Sequence, residues 1–154
     1  MTLYSALYTL HVLAALVWVG GMFFAWMVLR PAAVAQLQAS ERLRLWADVL
    51  RRFFVWVWVA VLVLPVVGMG VWHLRFAGFA GAPRYVHVMA GLYLVMLALF
   101  LRIQLILLPR LNRAIAAEQW AEGGTVLGRI RHVVGANLSI GLLVTALAAA
   151  RPGF

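Results

Sequence analysis

The stretch "LYSALYTLHVLAALVWVGGMFFAWMVL", residues 3–29, contains no charged side chain. It exceeds the roughly 20 apolar residues that cross a hydrocarbon core of about 30 Å. Inside lipid the backbone must satisfy its own hydrogen bonds, so a lone apolar run of this length reads as a helix. Three more uncharged stretches follow at residues 53–74, 85–101 and 132–150. The third reaches spanning length once residues 102–108 are added. The sequence therefore predicts an all-α bundle of four transmembrane helices, at about residues 3–29, 53–73, 84–108 and 128–150, in one integral membrane domain covering residues 1–154.

Composition agrees with that reading. Hydrophobic residues make up 66% of the 154-residue chain and charged ones 11%, with a mean hydropathy of +1.00. A soluble domain of this size has no interior large enough for that apolar surface. The first helix lacks a basic leader and a small-residue cleavage site, so it is expected to stay in the mature protein. The net charge of +9 would suggest nucleic acid in a soluble protein. Here the arginines are sorted by loop: Arg30, Arg42, Arg44, Arg51 and Arg52 lie between helices one and two, and Arg110, Arg113, Arg129 and Arg131 between helices three and four. The positive-inside rule then puts both long loops in the cytoplasm and both termini in the periplasm of a multi-pass bacterial inner-membrane protein. Topology accounts for the charge, and no nucleic-acid partner is expected.

The loops carry further pattern. Residues 41–52, with Ser40 as N-cap and Glu41 in the first turn, read as an amphipathic helix at the cytoplasmic interface. Residues 110–122 read as a second one, closed by Gly123 and Gly124. Pro31 is expected to end helix one, and Pro65, Gly68 and Gly70 to allow a kink in helix two.

"HVLAAL" at His11 returns as "HVMAGL" at His87, 76 residues on, and a shorter echo, "HVVGA", begins at His132. An offset of two helices restores the same direction through the membrane, which suggests an internal duplication of a helix pair. His11 falls about 12 Å and His87 about 5 Å below the outer starts of their helices, from the rise of about 1.5 Å per residue. His73 sits at the outer end of helix two, and His132 near the inner face.

The absence of cysteine excludes disulfides, iron–sulfur clusters and thiolate metal sites. Four histidines and six methionines remain as ligands. One turn after each repeated histidine lie small residues, Ala14 with Ala15 and Ala90 with Gly91. They allow close helix contact, or leave room for a flat macrocycle between two axial imidazoles. On that reading His11 and His87 hold one haem b near the periplasmic side, with Ala15, Gly91 and Trp18 lining its slot. The protein would then serve electron transfer or a haem-dependent membrane oxidoreductase activity, with a quinone or a periplasmic redox protein as partner.

Copper is the alternative. His73 and Met69 share a helical face, His87 and Met89 stand across the outer loop, and imidazole with thioether suits Cu(I). His11 and His132 complete the candidate metal ligands. A third alternative is a structural subunit whose histidines only pack, and a homo-oligomer is compatible with all three. No serine–histidine–acid arrangement, phosphate loop or pair of intramembrane carboxylates points to other catalysis.

"LHVLAALVWVGGMFFAWMVLRPA", "YVHVMAGLYLVMLALFLR" and "PRLNRA" together resemble the copper resistance D (CopD) family of bacterial inner-membrane proteins. That resemblance implies a role in copper uptake or homeostasis. The chain is also similar to the HemJ-type protoporphyrinogen oxidases, four-helix proteins thought to bind haem b, whose motif histidines correspond to His11 and His87 and whose tryptophan and glycine correspond to Trp18 and Gly20 or Gly21. Those enzymes carry a lysine two residues after the second histidine. Met89 stands there instead and the chain has no lysine, so this resemblance implies a haem site without that catalysis.

Overall fold

The computed structural model describes residues 1–152 and contains four long helices: α1 (Leu3–Gln36), α2 (Ala39–Phe76), α3 (Arg84–Ala116) and α4 (Trp120–Ala150). All four are long and apolar enough to cross a membrane, and the described residues include no strand. The chain folds as an all-helical, multi-pass membrane protein.

Helix α1 lies along α2 and α3 along α4, and the arginine-rich halves close against one another. The shared core is aromatic at its centre. Phe100 meets Phe54 at 5.1 Å, Trp58 at 5.2 Å and Trp18 at 6.3 Å between ring centroids, all edge to face. That geometry sets the positive edge of one ring against the negative face of the next. Leu62, Val66, Leu94 and Leu105 point outward. In lipid this costs little, because the acyl chains are as apolar as leucine.

Helices α1 and α3 run past the ends expected from sequence, and the same local device accounts for both. Pro31 and Pro109 should break them, since proline lacks an N–H and its ring crowds the carbonyl four residues back. Just before each proline the helix widens to a π-turn, at Ala25–Leu29 and at Ile103–Leu107. The Arg30 N–H then donates to the Ala25 carbonyl and the Leu108 N–H to the Ile103 carbonyl. The wide turn absorbs the proline, and the helices continue to Gln36 and Ala116.

Pro65 is accommodated differently. It leaves the Val61 carbonyl without its helical donor, and the Tyr93 hydroxyl of α3 donates to that oxygen at 2.7 Å. The α2 ladder is thus completed from another helix. A freed carbonyl in lipid needs such a partner.

The interfacial helices also differ from expectation. Residues 41–52 do not form a separate element but the first turns of α2, whose cap lies two residues before Ser40: it is Gln38, in a reciprocal box with Glu41. Residues 110–122 are split. Helix α3 ends at Ala116, Glu118 takes a left-handed φ of 53°, and α4 begins at Trp120. Gly123 and Gly124 therefore lie inside α4 rather than closing a helix. Gly123 is buried, and a Cβ there would stand 2.9 Å from Leu43 Cδ1. The requirement at this position is close approach to α2.

A candidate metal site at the arginine-poor end

The end of the bundle opposite the arginine-rich loops carries three of the four histidines, each in a different setting. His11 points from α1 at α2. Its ring rests on Gly68, where a Cβ would stand 3.6 Å from Cε1 and 3.7 Å from Nδ1. A methyl group at that position of α2 would make ordinary contact with the ring, and a longer side chain would take the space the ring occupies. His11 Nδ1 is buried and makes no well-aligned hydrogen bond, although the ring lies close enough to the Leu64 backbone of α2 to interact with it. Nearly all buried polar atoms find a partner, so an orphaned imidazole nitrogen requires an explanation.

His87 lies in the first turn of α3, half-buried, with its Nδ1 3.1 Å from the Pro83 carbonyl. A carbonyl oxygen can only accept, so the imidazole proton sits on Nδ1 and the lone pair on Nε2. The Phe79 ring, from the loop joining α2 to α3, covers the imidazole with centroids 4.2 Å apart. A backbone carbonyl behind a ring nitrogen is the arrangement that orients metal-ligating histidines.

The remaining predicted residues are not gathered about these two. His73 and Met69 are exposed on the outer part of α2, while the neighbouring Gly68 turns inward to His11. Met89 is half-buried, two residues after His87. His132 lies on the other half of the bundle, in a shallow hollow with Phe23, Trp26 and Met27. Trp18 is 2% exposed and packs edge to face on Tyr93 and Phe100. No group of three or more histidine, aspartate or glutamate side chains placed to hold a metal is found among the described residues.

The two sets of small residues differ as well. Ala14 and Ala15 pack against the core, whereas Gly91 is exposed and a Cβ there would meet nothing within 4 Å. One set is filled by the protein and the other opens outward.

Sequence reasoning missed the partners Gly68, Pro83 and Phe79. The signal for Gly68 was present, since a buried glycine in mid-helix asks what approaches it. Pro83 and Phe79 left no such signal, because a loop carbonyl and a loop ring meet His87 only after the chain turns at Ala77 and Gly78, both of positive φ.

The fold and these side chains make a four-helix membrane bundle with imidazole and thioether groups toward one end. The family model described as Copper resistance protein D (CopD) matches residues 47–151, about two thirds of the chain. The chain belongs to the CopD family, and its four apolar spans fit the bacterial inner membrane. The matched segment includes His73, His87 and His132 and leaves out His11. No curated protein and no solved structure matches the chain.

Proposed function

We propose that this protein handles copper at the periplasmic side of the inner membrane, with His87 as the ligand near the surface and His11 as the ligand within the bilayer. Arginine sorting supports this orientation, because it sets the histidine-bearing end opposite the cytoplasmic loops. The observation that carries the proposal is the buried, unpartnered His11 Nδ1. In the tautomer that leaves it unprotonated, this nitrogen presents a lone pair in an apolar setting, and Cu(I) accepts such a ligand.

The neighbouring groups fit the same cargo. Nε2 of His87 holds its lone pair free because Nδ1 is engaged with Pro83, and the Met89 thioether is close to it in sequence. Met69 and His73 on α2 offer a second soft pair at the rim. Cu(I) tolerates few ligands and prefers imidazole and thioether to carboxylate, which suits an end of the bundle built without acidic side chains.

The experiment is copper retention by protein purified in mild detergent, read by elemental analysis and by competition with a Cu(I) chelator. Wild type is expected to hold copper and His11→Ala to lose it. Equal retention by the two would end the proposal.

A second reading rests on a different observation. His87 is oriented by a backbone carbonyl, and Gly91, one turn deeper on its helical face, leaves open space. Two neutral imidazoles are suitable donors for haem b, and His11 and His87 would be its axial ligands. Bound haem would supply one-electron transfer, with a quinone or a periplasmic redox protein as partner. The same preparation separates the readings: b-type bands in a reduced-minus-oxidised spectrum favour haem, and copper without those bands favours the first.

A further inference from the structure

A cavity of about 250 Å³ lies at the opposite end of the bundle, reached from the arginine-rich side. Its walls are apolar and largely aromatic, with Trp18, Phe54 and Phe100 deepest and Trp46 and Trp120 nearer the mouth. Three half-buried arginines, Arg30, Arg42 and Arg131, converge on it from three different helices. The positive-inside rule explains why arginines are on this side of the membrane. It does not explain their convergence on one opening.

No aspartate or glutamate lines the cavity. Among the described residues the salt bridges are those of Asp48 with Arg51 and Arg52, so none of the three mouth arginines has an acidic partner. Arg30 instead lies over the Trp26 ring at 4.6 Å. Such a cation–π contact positions a guanidinium without neutralising it.

At the deep end stands Asn137, 2% exposed. Its Nδ2 donates to the Met96 carbonyl at 3.3 Å, and its Oδ1 has no partner. Cavities that stay empty are apolar, and a buried amide oxygen calls for a donor. The hollow is therefore not a plain packing defect.

We propose that this cavity binds one anionic phospholipid of the cytoplasmic leaflet. Its phosphate sits among Arg30, Arg42 and Arg131, and one acyl chain runs down the aromatic wall toward Trp18. From Arg30 to Trp18 is about 18 Å along α1 at a rise of about 1.5 Å per residue, a depth for a chain rather than for a headgroup alone. Guanidinium groups suit phosphate oxygens because their planar donors engage two oxygens at once. Water behind the chain end serves Asn137 Oδ1. The copper proposal concerns the other end of the bundle and does not depend on this one.

The test uses full-length protein delipidated in mild detergent and titrated with phosphatidylglycerol or phosphatidylcholine of matched chains, with bound lipid read by native mass spectrometry. One phosphatidylglycerol per chain is expected, at a concentration about tenfold or more below that needed for phosphatidylcholine, on the order of the attraction of a few arginines for an anionic headgroup. Gly128→Leu should abolish retention, because Gly128 lines the cavity and a Cβ there has only the Arg131 guanidinium nearby, at 4.0 Å. Arg131→Gln should weaken phosphatidylglycerol alone, and it decides the matter if the leucine variant fails to fold. Equal retention of the two lipids would overturn the proposal, as would wild-type retention by Gly128→Leu. Displacement of the lipid by millimolar inorganic phosphate would overturn it too, showing a free-anion site in its place.

Discussion

His11 and His87 head hexapeptides that differ at two of six positions, yet their imidazoles meet different chemistry. His87 is held by a carbonyl of its own loop and covered by Phe79, all within nine residues of chain. His11 is met by α2, whose Gly68 is 57 residues away and supplies room but no hydrogen bond to Nδ1. One histidine is satisfied locally near a helix start. The other keeps a buried nitrogen without a well-aligned partner after a long-range contact, and that difference makes His11 the candidate ligand.

The comparison can be broken most directly by removing each imidazole. His11→Ala is expected to weaken copper retention by at least about tenfold, the scale on which even outer-shell changes act at metal sites. His87→Ala should weaken it less, because Met89 and His73 remain near the rim. Measured Cu(I) affinities in the order His87→Ala below His11→Ala would reverse the assignment.

Stability offers a sharper version. His11→Leu removes a buried nitrogen that lacks a partner and should raise thermal stability in detergent, by about 1 to 3 kcal/mol, the usual penalty of an unsatisfied buried polar group. If the ring serves only to fill space against Gly68, the same variant will be less stable. His87→Leu breaks a hydrogen bond already made and should be destabilising by about 1 kcal/mol.

Gly68 tests the contact from the other side. Gly68→Ala puts a Cβ at ordinary contact distance, 3.6 Å from the ring, and should leave copper retention within about threefold, since at least one rotamer remains for the imidazole. Gly68→Leu should displace the ring and reproduce the His11→Ala loss. Equal behaviour of the two variants would show that the ring does not rest on this glycine.

A smaller effect is expected at Pro65. Tyr93→Phe should cost about 1 kcal/mol by stranding the Val61 carbonyl, and the cost should shrink in a Pro65→Ala background where the helical donor returns. Smallest of all, Gly91→Ala should leave stability unchanged or raise it by up to about 1 kcal/mol through helix propensity, because nothing lies within 4 Å of the new methyl. A clear loss would mean that a partner molecule occupies this face.

Much of the architecture could be read from residues alone. Four uncharged runs fixed four spans, since lipid forces helical hydrogen bonding on any apolar segment that crosses it. The places where reading failed each have a physical cause. Pro31 looked like a helix end because proline removes one specific bond, but a π-turn moves the neighbouring bonds by one residue and lets the helix continue, and the same device carries α3 past Pro109. Residues 110–122 looked continuous because their amphipathic pattern does not register one residue of left-handed φ at Glu118. The histidines were found by their rarity and repetition, whereas the cavity at the arginine-rich end was missed because its walls come from four separate helices.

Sequence by itself therefore determined the solvent of this protein, the number of its spans, the sorting of its arginines and the inventory of soft ligands, all of which follow from properties that each segment carries alone. Only the tertiary structure decided that Tyr93 completes the α2 ladder at Pro65, that His11 lies on Gly68 with a free nitrogen while His87 binds Pro83, and that Arg30, Arg42 and Arg131 face one hollow. Those outcomes depend on which residues of different helices arrive at the same depth and face each other. Helical periodicity places a side chain on its own helix, and the packing of four helices chooses its neighbour.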